Sequence, residues 1–85
     1  IHIKLIYLQQ MQINMANRAI NRLKVVLAEK NKTNKWLAEK LENNETTVSR
    51  WCTNEVQPSM DKLIAIAELL EIDVRELLNP TKISK

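Results

Sequence analysis

Apolar residues recur every three or four positions along most of this chain, the spacing of helices with one buried face. From Ala16 to Glu29 the positions Ile20, Leu23, Val26 and Leu27 fall on one side, and Asn31 follows as a residue that tolerates the left-handed backbone at a helix end. Thr33 is a good N-cap for a second helix, whose apolar face is Leu37, Ala38 and Leu41. Asn43 and Asn44 break that pattern, and Asn44 caps a third helix in which Val48, Trp51 and Cys52 share one side. Thr53 to Ser59 reads as a loop, because Pro58 restricts the residue before it. Ser59 caps a fourth helix with Met60, Leu63, Ile64, Ala67 and Leu70 as the expected buried stripe. Asp73 and Glu76 form a capping box for a fifth helix ahead of Leu77 and Leu78, and Asn79-Pro80 stops it. The pattern therefore predicts a compact all-α, five-helix domain over residues 15–80.

The two ends do not share this pattern. Residues 1–14 read as an N-terminal arm, flexible or non-native, with Met15 a candidate natural start. Within the arm Ile1, Ile3, Leu5 and Tyr7 alternate with polar positions, which suits an edge strand used in dimerisation, a helical extension or a weakly docked segment. Residues 81–85 form a loose basic tail.

Composition narrows the function. Hydrophobic residues make up 45% of the 85 and charged ones 27%, an ordinary globular balance sufficient for one domain. The chain has no glycine at all, which disfavours tight hairpins and phosphate-cradling loops and favours helices. Its net charge of +3 is unevenly spread: residues 1–40 carry eight Lys/Arg against two acids, and residues 41–85 carry five against eight. Such asymmetry suits a face for a polyanion, although a solvated surface could be uneven in the same way. The single cysteine, Cys52, excludes an intrachain disulfide and points to a reducing compartment. No apolar run approaches the roughly 20 residues of a membrane span, and no secretory signal is legible, so the expected location is cytoplasmic. Enzyme chemistry lacks materials: the only histidine is His2 in the arm, and the carboxylates are scattered over solvent faces. No cofactor and no metal site are expected.

The second and third helices are short and separated by only a few residues, the sequence shape of a helix-turn-helix, in which one helix braces another against the major groove of DNA. Small Ala38 sits where the helices cross, with β-branched Val48 beneath it and Leu37 and Trp51 closing the interior side. The segments Thr33-Asn34-Lys35-Trp36-Leu37-Ala38-Glu39-Lys40-Leu41, Thr46-Thr47-Val48-Ser49-Arg50-Trp51, Pro58-Ser59-Met60 and Ile72-Asp73-Val74-Arg75-Glu76-Leu77-Leu78 resemble the Cro/Xre-type repressor family, without gaps from about Leu23 to Leu78. The resemblance implies a sequence-specific transcriptional regulator, a repressor, that binds double-stranded DNA as a homodimer on a two-fold symmetric operator. It also assigns positions. Glu45, Thr46, Ser49 and Arg50 fall where the family faces base edges, Arg50 suited to guanine and Glu45 to cytosine. Asn34 stands where the family usually has a glutamine that contacts a phosphate near the positive helix end. Thr33, Lys35, Thr47, Thr53 and Asn54 complete the implied phosphate-contacting set.

Departures from the pattern matter too. Glu42 replaces the family's usual glycine after the second helix, so the turn must use Asn43 in a left-handed conformation or adopt another geometry. The loop Asn54-Glu55-Val56-Gln57 lacks the usual cations, and Glu45 brings negative charge toward the groove, leaving Lys30, Lys32 and Lys35 as the main electrostatic contacts. Arg50 can read a base or pair with a nearby acid. Trp51 and Cys52 read as core, whereas Trp36 is either a surface aromatic near phosphates or part of a partner interface. The competing class is a protein-interaction module on the same fold, an antitoxin or a regulator whose partner is a toxin or another regulator.

Overall fold

The computed structural model describes residues 19–82; the arm and its proposed strand or dimer contact, Met15 and residues 83–85 lie outside that range. Four α-helices follow one another: α1 (Leu23–Glu29), α2 (Asn34–Leu41), α3 (Glu45–Cys52) and α4 (Met60–Leu70). The expected fifth helix is a single 3-10 turn, Val74–Leu77. Its capping box is present, with Glu76 accepting from the Asp73 amide at 3.1 Å. Only four residues separate Asp73 from Leu78, whose extended backbone ends the turn before an α-helix can propagate.

The caps anticipated from sequence are in place. Thr33 Oγ1 accepts from Trp36 N at 3.0 Å, Asn44 Oδ1 from Thr47 N at 2.7 Å and Ser59 Oγ from Lys62 N at 3.2 Å. The C-termini show what a glycine-free chain must do. All four helices end in the same paired backbone pattern, with Asn31, Glu42, Asn54 and Glu71 at φ of 57°, 56°, 61° and 57°. These positions ordinarily favour glycine, and a side chain there costs roughly 1–2 kcal/mol. After α2 the left-handed residue is Glu42 itself rather than Asn43, because Asn43 N must reach back to Ala38 O, which it does at 2.9 Å.

The core is built from one face of each element: Leu23, Val26 and Leu27 of α1, Leu37 and Ala38 of α2, Val48, Trp51 and Cys52 of α3, Leu63, Ile66, Ala67 and Leu70 of α4, and Leu77. The α4 stripe differs from expectation. Met60 and Ile64 are exposed and Ile66 is fully buried, because α4 presents positions 63, 66, 67 and 70 to the core. Helix α1 begins at Leu23 rather than near Ala16, and Ile20 is exposed. Residues 19–22 are not helical and lie instead against the end of the domain. Asn21 bridges antiparallel to Leu78, Arg22 N donates to Leu77 O at 2.8 Å, and Asn79 N donates to Ile20 O at 2.9 Å. Tertiary pairing outcompetes helix here.

Candidate nucleic-acid interface

Helices α2 and α3 make the most extensive contact of any two elements in the described residues. Ala38 of α2 and Val48 of α3 are both buried in the core that the two helices share. Packing α3 by Val48, Trp51 and Cys52 turns its opposite side outward. Thr46 and Arg50 are exposed there, Ser49 is half-buried at the edge, and Glu45 is exposed at the N-terminus of the helix. Thr46 and Arg50 are one turn apart and therefore neighbours on that surface.

The other expected contacts divide into two kinds. Thr33, Lys35 and Thr53 are exposed, while Asn34 and Thr47 are half-buried. Thr33 also caps α2, and Thr53 Oγ1 donates to Arg50 O at 3.2 Å. The Asn54 side chain is turned into the fold. Its Oδ1 accepts from Ile20 N and Asn21 N, both at 2.8 Å, and from Gln57 Nε2 at 3.0 Å, while its Nδ2 donates to Asn21 O at 3.1 Å.

Arg50 and Glu55 form an ion pair at 3.3 Å (Nη2 to Oε1), so the guanidinium already has a partner. Lys32 lies over the Trp36 ring at 4.8 Å from its centroid, and Trp36 packs against the core's edge rather than standing free. Near the start of α2, the Cys52 thiol donates to Asn34 Oδ1 at 3.3 Å. Burial pushes the Cys52 thiol above its ordinary range, with the Lys24 charge partly opposing it. Cys52 is thus the small buried group that its spacing suggested.

Asn21, Lys24 and Glu55 were not singled out by the sequence pattern. Asn21 is 3% exposed, and its side chain is fully engaged: Oδ1 accepts from Leu23 N at 3.0 Å, and Nδ2 donates to Trp51 O at 2.9 Å and to Gln57 Oε1 at 2.7 Å. It pins the end of α3 to the start of α1. The available signal was an asparagine two residues before a buried leucine, a local capping arrangement. Lys24, on α1, enters only through the small opposing effect of its charge on the Cys52 thiol.

Two short helices joined by a three-residue turn, the second buried on one side and polar on the other, define a helix-turn-helix protein. The match is specific at the level of sequence. The chain belongs to the family of the Cro/C1-type HTH DNA-binding domain, whose model matches residues 22–82. It is also similar to the crystal structure of a "putative DNA-binding protein" from Bacteroides fragilis, with a TM-score of 0.70 and 58% identity over 71% of this chain and 97% of that one. No curated protein matches the chain. Among the described residues, no helix is long and apolar enough to cross a membrane.

Proposed function

We propose that this protein is a sequence-specific transcriptional regulator, a repressor, that inserts α3 into the major groove. The observation that carries the reading is the two-sidedness of α3: Val48, Trp51 and Cys52 anchor it, while Glu45, Thr46, Ser49 and Arg50 line its open edge. A helix held this way offers its N-terminal residues to base edges, and the start of α2, with Asn34 and Lys35, meets the flanking backbone. Thr33, Thr47 and Thr53 supply hydroxyl groups beside the same strand. Asn54 contributes by holding the loop after α3, since its amide is engaged within the fold. Occupancy of a promoter by such a module excludes other proteins, which is repression. Two copies on a two-fold symmetric operator would present their α3 helices about 34 Å apart.

The deciding experiment is titration of the protein against a duplex selected from random DNA and a scrambled duplex, at several salt concentrations. The expected result is tight binding to the selected duplex and a steep loss with salt through counterion release. Footprinting should protect two symmetric half-sites.

A second reading rests on the acidic groups Glu45 and Glu55 at the two ends of α3 and its loop, and on exposed Met60 and Ile64. In that reading the fold serves as an antitoxin or binds another regulator. Binding to a protein partner through apolar surface would be nearly independent of salt, which separates the two.

A further inference from the structure

Glu55 lies in the loop after α3, outside the set of groove-facing residues, yet it is bound to Arg50 twice. Its amide donates to Arg50 O at 3.0 Å, and its carboxylate receives Arg50 Nη2 at 3.3 Å. Val56 N donates to the same Arg50 carbonyl at 3.3 Å, and the loop's left-handed residue Asn54 is tied to Ile20 and Asn21. The carboxylate is therefore presented from a fixed backbone rather than from a free loop.

We propose that Glu55 is a positioning residue that sets the Arg50 guanidinium for reading one guanine, raising specificity while lowering overall DNA affinity. This rests on the reading of Arg50 as a base-contacting residue. Only one nitrogen of the guanidinium meets the carboxylate, so the other donors of the planar fork stay available for guanine O6 and N7. An arginine held in one orientation loses less freedom when it binds its base, and it is less able to swing to a phosphate. The side chains are 52% and 60% exposed, so the pair is hydrated and adds little to folding. The carboxylate also repels every phosphate near the end of α3, whatever the sequence. One group thus acts in opposite directions on specific and non-specific binding.

The test uses the whole chain with Glu55→Ala, Glu55→Gln, Arg50→Ala and the Arg50→Ala/Glu55→Ala double variant. Each is titrated against the selected duplex, single-base-pair variants of it and a scrambled duplex. Glu55→Ala should bind the scrambled duplex more tightly and lose roughly tenfold of its preference at one base pair, with an unchanged melting temperature. Glu55→Gln, which keeps an acceptor, should lose less preference. In the Arg50→Ala background Glu55→Ala should change no base preference, because the group it orients is gone. An equal gain on every duplex with preference intact would overturn the proposal, leaving Glu55 as simple repulsion. If Arg50→Ala itself alters no base preference, the reading of Arg50 fails first, and the two failures are told apart by that variant.

Discussion

The Cys52 thiol donates to Asn34 Oδ1 at 3.3 Å, joining the last turn of α3 to the first residue of α2. The contact sits between the helix that would read bases and the residue that would meet a phosphate. Burial raises the thiol above its ordinary value of 9.0, so the folded protein holds this proton more tightly than the unfolded chain does. The stabilisation is complete below the unfolded thiol's range and is lost as pH rises through it toward the folded value. The stability difference between wild type and Cys52→Ala should therefore shrink as pH rises above about 9. Denaturant titrations of both proteins from pH 7 to 10.5 measure it; a constant difference would refute the account. Alkylation of Cys52 at pH 7 should likewise be slow until the protein unfolds.

Val48 is fully buried in the core that α3 shares with α2. Val48→Asp places a carboxylate where no polar partner was arranged, at a cost of several kcal/mol, comparable with the whole stability of a small domain. The variant should be unfolded at 25 °C by circular dichroism. A native melting curve would show that the α2–α3 junction is not the core of this fold.

Glu42 adopts φ 56° and ψ 38° at the end of α2. Glycine removes the roughly 1–2 kcal/mol of left-handed strain but gives back part of it, about 0.5–1 kcal/mol, through the greater freedom of the unfolded chain. Glu42→Gly should therefore raise the melting temperature by a few degrees, a shift that scanning calorimetry resolves. Glu71→Gly should act the same way at the end of α4, where φ is 57°. If both variants melt lower than wild type, the backbone strain inferred at these sites is absent.

These sites show how far the sequence alone could be read. Local chemistry was legible: the caps at Thr33, Asn44, Ser59 and Asp73 each depend on a few neighbouring residues, and all four form. The α2–α3 pair was legible as well, because Ala38, Val48 and Trp51 have a spacing that little else satisfies, and all three are buried in one core. Long-range pairing was not. The start of α1 is set by the bridge from Asn21 to Leu78, between residues far apart in the chain, and no periodicity near Ile20 encodes it. The same limit hid Glu55. Its pairing with Arg50 was anticipated only as an unnamed nearby acid, since the loop that carries it is fixed by Asn54 gripping residues 20 and 21. On α4, Met60 and Ile64 have the helical spacing of a buried stripe, and only the position of the neighbouring elements selects Ile66 instead.

Arg50 and Lys35 should fail in different ways. Arg50 is exposed on the outer side of α3, one turn beyond Thr46 and opposite the packing of Val48 and Trp51, so its guanidinium can reach a base edge. The ion pair with Glu55 is no obstacle, because it engages one guanidinium nitrogen and leaves the other donors available. Arg50→Ala should cost roughly 1–3 kcal/mol on the selected duplex and relax preference at one base pair, with little effect on scrambled DNA. Lys35 is exposed in the first turn of α2, where in the proposed reading a side chain would meet phosphates and no base. Lys35→Ala should weaken all duplexes about equally and reduce the slope of log affinity against log salt by about one. Both variants should melt like wild type, since neither side chain is part of the core. Titration of each against selected and scrambled duplexes at 50, 100 and 200 mM salt separates the two patterns. If Arg50→Ala weakened both duplexes equally and lowered the salt slope, Arg50 would be a phosphate contact, and base reading would fall to Glu45, Thr46 and Ser49.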